Sequence, residues 1–200
     1  TCNEWEIGNS ALSSFKNINL FFFNCDKDFD VSSDIFGGCK SINHISFLTQ
    51  AKIRIIPDCF SGIKNLENIK IDCNSIDIPE RYSKNNFLFK SFDIVLNSNF
   101  CLDKKSTFFK NIQKIKLSSK TQVELSESCF YSNKKLESIE ISCQTIIIKQ
   151  GCFNDCRNLQ SVNFIDAKCV LINEFSFAQC KKLSIIKVNA ESEIKLGKYC

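Results

Sequence analysis

Two cysteines four positions apart, Cys152 and Cys156, enclose Asp155 in the segment GCFNDCRNLQSVNF. In a chain with 13 cysteines, such a pair could supply thiolate ligands to a metal ion, form a disulfide or act as a redox centre. The two residues could equally be buried structural thiols, because free cysteine packs as a small apolar side chain. The choice depends on whether the segment is unique in the sequence or is repeated.

The composition favours a globular protein and excludes several classes of function. Hydrophobic residues make up 44% of the 200 residues, yet no stretch approaches the roughly 18 apolar residues of a membrane-spanning helix. The net charge of +4 comes from 26 basic and 22 acidic side chains spread along the chain, without the basic stripe of a nucleic-acid-binding protein. We therefore expect no membrane span in this chain and no nucleic-acid partner. Since the sequence contains no Met, we expect it to be a processed or excised piece.

The cysteine pair belongs to a repeat that runs along the sequence. The segments CFYSNKKLESIEI, CFSGIKNLENIKI, SFAQCKKLSIIKV and IFGGCKSINHISF share its frame. An aromatic residue is followed three residues later by Cys or a substitute, three further by Leu or Ile, and then by two apolar residues. The Leu-like position recurs at intervals of 23 or 24 residues, at Ile18, Ile42, Leu66, Phe89, Ile112, Leu136, Leu159 and Leu183.

Each repeat unit predicts two short strands and a closing turn. Leu66, Ile69 and Ile71 alternate so that they share one face of a strand, with Lys70 on the other. A second apolar patch, such as 53–55 or 123–125, predicts another strand on the opposite wall, and the CFxxC segment predicts a single helical or 3₁₀ turn. Because one such strand cannot bury its face alone, we expect successive coils to stack into a solenoid.

The frame I-x-x-x-C-F-x-x-C-x-x-L-x-x-I-x-I resembles the BspA-like leucine-rich repeats of bacterial and parasitic-protist surface proteins. The resemblance implies a repeat solenoid with a parallel β-sheet on the concave side and short strands and helical turns on the other walls. Residues 1–200 would form a single leucine-rich-repeat domain of about eight repeats. Residues 1–10 would be an N-terminal cap segment, in which Trp5 covers the first coil, and residues 11–196 the repeats. The fourth and fifth units depart most from the frame, and we expect the architecture to continue through them.

The cysteines follow the repeat. Nine of the 13 cysteines occupy three repeat positions. Residues at one repeat position are spread along the stack of coils. The four ligands of a metal site must instead converge on one point. The pattern therefore favours buried structural thiols, and we expect no metal and no cofactor. A disulfide stays open as an alternative, because Cys129 and Cys152, or Cys156 and Cys180, occupy equivalent positions in coils about 5 Å apart.

Catalysis is difficult to build from these residues. His44 is the single histidine, and its place in SINHISF favours a surface position on the inner strand over a general base. The sequence has no glycine-rich phosphate loop, no nucleophile elbow and no HExxH motif. We predict a protein that is not an enzyme and has no catalytic residues, with a thiol enzyme as a distant alternative.

The outward positions of the inner strand predict the partner-binding surface, because in a solenoid they form one continuous face. The central column consists of Phe22, Ser46, Lys70, Asp93, Lys116, Glu140, Asn163 and Lys187. Its neighbour consists of Leu20, His44, Asn68, Ser91, Lys114, Ser138, Ser161 and Ile185. We predict that all of these residues except Leu20 contact the partner. The alternating charges in the middle of the central column could form either an ion ladder or a polar docking strip.

We predict a protein-interaction or adhesion module whose partner is a protein or another macromolecule of a host surface or matrix. An intracellular scaffold docked in a larger assembly is the alternative. Apolar residues at outward positions in the first and last units (Leu20, Phe22 and Ile185) predict continuation or association at the solenoid ends. The resemblance implies a cell-surface or secreted protein, whereas the absence of any N-x-S/T sequon and the core-position thiols favour the cytoplasm.

Overall fold

The computed structural model of the chain describes residues 12, 17–32, 35–60, 62–78, 89–102, 107–189 and 191–200. Over these residues the chain forms 16 short strands arranged in three parallel sheets. Strands that are neighbours in a sheet are separated along the chain by one strand of another sheet, so the chain advances by one coil per repeat. This is the repeat solenoid that the sequence predicts.

The largest sheet takes one strand from each successive coil. Its strands are β1 (Leu20–Asn24), β3 (His44–Leu48), β5 (Asn68–Cys73), β7 (Ser91–Leu96), β9 (Lys114–Ser119), β11 (Ser138–Ser142), β13 (Ser161–Ile165) and β15 (Ile185–Lys187). Each pairs in parallel with the next, in the order β1-β3-β5-β7-β9-β11-β13-β15. The inner strand predicted from the L-x-x-I-x-I pattern is confirmed.

Two smaller sheets contain the second strand of each coil. The three-stranded sheet consists of β2 (Phe29–Val31), β4 (Lys52–Ile55) and β6 (Ser75–Asp77). The five-stranded sheet consists of β8 (Phe100–Leu102), β10 (Gln122–Leu125), β12 (Thr145–Ile148), β14 (Cys169–Ile172) and β16 (Glu193–Leu196). The strands predicted at 53–55 and 123–125 are thus confirmed as β4 and β10.

The core lies inside the coils and is built by the period of the repeat. Because each strand is offset from the next by 23 or 24 residues, equivalent residues become register partners, as Ile45 and Ile69 do. Alternation along the strand then buries Ile69 and Ile71 and leaves Lys70 exposed. The inward columns of the eight-stranded sheet are continuous from coil to coil, and the buried apolar residues form one core cluster.

Aromatic rings stack along the corner where each coil closes. The ring centroid of Phe153 lies 5.2 Å from that of Phe130 and 5.3 Å from that of Phe177, with the three planes nearly parallel. The backbone follows the same stacking, since the Phe153 N–H donates to the Ser176 carbonyl at 2.8 Å. The aromatic position of the repeat therefore holds neighbouring coils in register.

The closing segments are short turns with the 3₁₀ hydrogen-bond pattern, as the sequence predicts. In the fifth unit this turn is the 3₁₀ helix Thr107–Phe109, and in the other described units it is a turn whose hydrogen bonds join residues three apart. In the turn of the opening segment, the Cys156 N–H donates to the Phe153 carbonyl at 3.1 Å. Asp155, with a φ of 62°, and its equivalents Ser132 and Gln179 adopt left-handed backbone. Such residues end a right-handed helix before it can extend.

Part of the predicted organisation lies outside the described residues. This applies to the N-terminal cap, residues 1–10 with Trp5, and to the altered segments 79–88 and 103–106. The division into one domain of eight repeats therefore stays a prediction. In the part of the chain that the structure describes, no helical segment has the length and apolar character needed to cross a membrane.

Candidate partner-binding surface

The outward face of the eight-stranded sheet carries the predicted binding residues in two adjacent columns. Strand register joins each predicted residue to its equivalent in the next coil, from β1 to β15. The structure therefore brings all 15 predicted residues onto one face: Phe22, His44, Ser46, Asn68, Lys70, Ser91, Asp93, Lys114, Lys116, Ser138, Glu140, Ser161, Asn163, Ile185 and Lys187.

Hydrogen bonds connect the side chains at the β3–β7 end of this face. The Nδ1 atom of His44 lies 2.6 Å from Asn43 Oδ1, and its Nε2 atom lies 2.8 Å from Asn68 Nδ2. Because Asn68 can donate to Nε2 only if that nitrogen accepts, these contacts fit a neutral ring with its proton on Nδ1. The Oδ1 atom of Asn68 then accepts from the Ser91 hydroxyl. His44 is thus an organised surface side chain whose two nitrogens contact asparagine amides.

Charged side chains dominate the middle of the face. Lys116 Nζ lies 3.2 Å from Glu140 Oε1, which joins β9 to β11. Asp93 on β7 is half-buried, and its burial raises the pKa of the carboxyl group against the opposing effects of Lys70 and Lys116. A carboxylate that is partly removed from water in this way is more readily stabilised by an added hydrogen-bond donor or cation.

Two depressions lie in this charged region. One has a volume of about 410 Å³ and is lined by Asn68, Lys90, Ser91, Phe92, Asp93, Gln113, Lys114 and Lys116. The other has a volume of about 330 Å³ and extends from β9 to β15, over Glu140 and Asn163. Lys114 and Lys116 line both depressions, so strand β9 stands between them. The arrangement can accept partner side chains on both sides of a pair of lysines.

A third outward column was missed by reasoning from the sequence. It lies two residues beyond the central column and consists of Asn24, Leu48, Asp72, Val95, Ser118, Ser142 and Ile165. Leu48, Val95 and Ile165 are half-buried at its edge. The signal was present, because these residues share the 23- to 24-residue period and the outward phase of the strand. Leu48, Val95 and Ile165 give the face apolar contacts at its margin, between the polar members of the column.

Comparison with known families agrees with the geometry. The family model described as "BspA type Leucine rich repeat region (6 copies)" matches residues 101–200, which is half of the 200-residue chain. The chain belongs to this family. No curated protein sequence is significantly similar to the chain.

Membership of the BspA-type family indicates a protein-interaction repeat module. Leucine-rich-repeat solenoids present an extended surface made of equivalent positions from many coils, and they typically have no enzymatic activity. In this chain the surface with that character is the eight-stranded sheet face described above.

The thiols of the BspA-type repeat have structural partners. One cysteine of the repeat lies three residues after the aromatic position. Its thiol donates to a backbone carbonyl of the preceding coil, that of the residue at the aromatic position. These hydrogen bonds join Cys39 to Leu12 at 2.9 Å, Cys156 to Phe130 at 3.1 Å and Cys180 to Phe153 at 3.2 Å. Burial raises the pKa of the Cys156 thiol to about 12 and that of Cys180 to about 11. Since the thiolate is the nucleophile and the metal ligand, these thiols are poor candidates for either role near neutral pH.

Over the described residues, no three His, Cys, Asp or Glu side chains are grouped as metal ligands would be.

The C-terminal end of the described solenoid exposes core positions of the BspA-type repeat. Strands β15 and β16 are the last strands of their sheets. Ile186, Ile194 and Leu196 occupy inward positions that are buried in earlier coils, yet here they are exposed. We call these three residues the end face. Its apolar surface is separate from the polar columns of the sheet.

Proposed function

We propose that this BspA-type solenoid is a non-enzymatic binding module whose eight-stranded sheet face takes a protein partner. The observation that carries the proposal is the continuity of the outward columns, which keep one register from β1 to β15. A rigid, regular face of this kind can contact a partner at many points without reorganising. We further propose a role in adhesion, which is supported by the resemblance of the chain to the BspA-like repeats of surface proteins.

The charges of the face favour a partner surface that itself carries both signs. Lys114 and Lys116 line both depressions, while Asp93 and Glu140 lie on the flanking strands. Acidic partner groups would pair with the lysines, and a basic partner group would relieve the partial burial of Asp93. Half-buried Leu48, Val95 and Ile165 would contact apolar side chains of the same partner.

A thiol enzyme is disfavoured by the same geometry. The nitrogens of His44 contact Asn43 and Asn68, so they are engaged with amides on the sheet face. The thiols of Cys156 and Cys180 are directed to backbone carbonyls in the interior. A nucleophilic pair would need a thiol and a base within hydrogen-bonding distance of each other.

Photo-crosslinking tests the proposal directly. A photoreactive amino acid at Ser138, on the sheet face, should crosslink a binding protein from cells that carry the natural partner. The same amino acid at Lys168, an exposed residue before β14 of the five-stranded sheet, serves as the matched control. We expect one crosslinked protein species from position 138 and none of that species from position 168. Equal crosslinking from both positions, or crosslinking from 168 alone, would contradict the proposed face.

The captured protein then allows a quantitative test. Lys114→Glu combined with Lys116→Glu should weaken its binding by roughly tenfold or more in calorimetry, because both substitutions reverse a charge in the centre of the face. Lys168→Glu reverses one charge elsewhere and should leave the affinity unchanged. Unchanged binding in the double variant, with its folding verified by circular dichroism, would rule out the lysines as contacts.

The end face would be covered either by further repeats of a longer chain or by another copy of the solenoid, and assembly of copies is the second candidate function. Burial of Ile186, Ile194 and Leu196 against an equivalent surface would remove exposed apolar area from water. Sedimentation velocity should then show association that increases with concentration and is abolished by Ile194→Lys with Leu196→Lys. Strictly monomeric sedimentation of the unsubstituted chain at high concentration would argue against this function.

A further inference from the structure

Two buried thiols from neighbouring coils are in contact in the interior. The Sγ atoms of Cys129 and Cys152 lie 3.3 Å apart. The two residues are 2% and 0% exposed, so water does not separate or solvate the pair. They occupy the same repeat position, immediately before the aromatic residues Phe130 and Phe153.

Backbone hydrogen bonds on both sides fix this contact. The Phe130 N–H donates to the Cys152 carbonyl at 3.0 Å, and the Ser128 N–H donates to the Gln150 carbonyl at 3.1 Å. Chains paired in this way lie about 4.8 Å apart. That spacing falls within the range of about 4.4 to 6.8 Å between the Cα atoms of a disulfide. A bond between the sulfurs therefore requires movement of the side chains and little movement of the backbone.

Other thiols of the repeat are directed elsewhere. Cys156 donates to the Phe130 carbonyl at 3.1 Å, and Cys143 donates to the Thr145 carbonyl at 3.2 Å. A disulfide at either position would remove that donor and leave a carbonyl in need of another partner. For Cys129 and Cys152, each sulfur has the other as its side-chain neighbour, and the Cys152 sulfur also contacts the Phe130 backbone N–H. A covalent bond therefore replaces a weak contact and takes no donor from a carbonyl.

We propose that Cys129 and Cys152 form a disulfide crosslink between adjacent coils, with a low-molecular-weight disulfide such as oxidised glutathione as the oxidant. One thiolate attacks a sulfur of oxidised glutathione, which forms a mixed disulfide and releases one glutathione thiolate. The second cysteine thiolate attacks the mixed disulfide at the protein sulfur and releases the second glutathione thiolate. Two protein thiols are oxidised and one glutathione disulfide is reduced to two thiols, which take up the two protons.

Burial determines when this exchange takes place. Because both sulfurs are enclosed, and burial raises the pKa of the Cys152 thiol well above its ordinary range, attack on glutathione requires the coils to separate transiently or the chain to be still folding. The fold then selects the pair, since stacking places these two sulfurs together. Oxidation of the folded protein should accordingly be slow and should accelerate at low urea concentrations.

A redox titration with disulfide mapping tests the proposal. The full chain is refolded in buffers with defined ratios of oxidised to reduced glutathione, quenched by alkylation in denaturant, digested and analysed by mass spectrometry. We expect to find a linked pair of peptides that contain Cys129 and Cys152. The equilibrium constant for forming this disulfide should be roughly tenfold or more higher in native buffer than in concentrated urea. Recovery of every cysteine as a free thiol, linkage of a different pair, or a constant that is no higher in native buffer would each overturn the proposal.

Two matched variants locate the crosslink. Cys152→Ser should abolish it, and serine suits this repeat position, since Ser176 occupies it in the next coil and donates to the Asn173 carbonyl at 2.6 Å. Cys156→Ser removes the neighbouring thiol and should leave the Cys129–Cys152 linkage and its equilibrium constant intact. Loss of the linkage in Cys156→Ser, in protein that retains the far-ultraviolet circular dichroism spectrum of the unsubstituted chain, would show that the assigned pair is wrong.

Discussion

The eighth coil and the two coils before it use the same repeat positions in very different environments. Ile139 in β11 is 2% exposed, whereas Ile186 at the equivalent position of β15 is 50% exposed. Likewise Ile172 in β14 is 4% exposed and its register partner Leu196 in β16 is 66% exposed. The side chains are similar in type and direction. The difference shows that burial in this solenoid comes from having a stacked coil on both sides.

This difference has an energetic consequence. Each coil has too little apolar area to stabilise itself, so its stability depends on its interfaces with its neighbours. An inward residue of an inner coil contributes to two interfaces, and one at the end face contributes to one. Substitutions that are chemically alike should therefore have large effects in the middle of the stack and small effects at its end.

The largest contrast is expected between two phenylalanines. Phe153→Ala should destabilise the protein by about 3 to 5 kcal/mol, because its ring is fully buried between those of Phe130 and Phe177. Phe175→Gly should change stability by less than about 1 kcal/mol. That ring is partly exposed, and its φ of 57° is a backbone conformation that glycine adopts more easily. Urea unfolding of both variants measures the contrast, which equal losses would contradict.

A matched isoleucine pair isolates the effect of stacking. Ile139→Ala should cost about 2 to 5 kcal/mol, the usual range for a buried aliphatic side chain. Ile186→Ala should cost less than about 1 kcal/mol, because about half of that side chain is already in contact with water. The free energies of unfolding in urea supply the test. If Ile186→Ala is as damaging as Ile139→Ala, a further interface covers the end face in solution.

Buried and exposed thiols should differ in how much they make the stability of the protein depend on pH. Burial raises the folded-state pKa of Cys156 from 9.0 to about 12. The protonated thiol therefore stabilises the folded state fully below pH 9, and this stabilisation is lost as the pH rises toward 12. The loss should be about 1.4 kcal/mol per pH unit at most.

Alanine variants measure this contribution between pH 8 and about 10. Cys156→Ala should weaken the alkaline decline in stability relative to the unsubstituted chain, whereas Cys200→Ala should alter it much less because Cys200 is exposed. Equal alkaline slopes for the unsubstituted chain and Cys156→Ala would contradict the burial of that thiol.

Outward-facing ion pairs should show no contrast between inner and terminal coils. Lys116 and Glu140 lie 3.2 Å apart on inner strands, and Lys195 and Glu193 lie 3.0 Å apart on β16. All four side chains are substantially exposed, so Lys116→Ala and Lys195→Ala should each change stability by less than about 1 kcal/mol. Thermal unfolding at low and high salt provides the measurement. A loss of several kcal/mol at Lys116 would mean that the sheet face is a structural ion ladder.

The sequence predicted the repeat architecture because one period specifies several features together. The spacing of 23 or 24 residues determined which residues become register partners, and the alternation within each strand determined which of them face outward. The sequence alone therefore assigns the 15 predicted surface residues to columns. Whether those columns bind a partner was not encoded in the spacing, and it stays a proposal.

Other features depended on backbone geometry that the pattern does not specify. The closing segments were expected to be single helical or 3₁₀ turns, but the pattern did not specify the left-handed residues, such as Asp155 and Gln179, at which they end. The third outward column was overlooked because Leu48 and Val95 vary in type from coil to coil although their phase is constant. The cysteines at one repeat position also cannot be distinguished from each other by sequence, since the direction of each sulfur depends on its rotamer.

The central claim is that each coil is stabilised by stacking against a neighbouring coil on both sides. Amide hydrogen exchange across the solenoid tests this claim most directly. The amides of β11 and β13 should exchange slowest, because each of these strands is paired on both sides. Strands β15 and β16 end their sheets and are paired on one side only. Even their hydrogen-bonded amides should exchange much faster: the Ile185 N–H, which donates to the Gln160 carbonyl, should exchange faster than the equivalent Ser161 N–H, which donates to the Glu137 carbonyl. Equal protection of β13 and β15 in dilute monomeric protein would contradict the account.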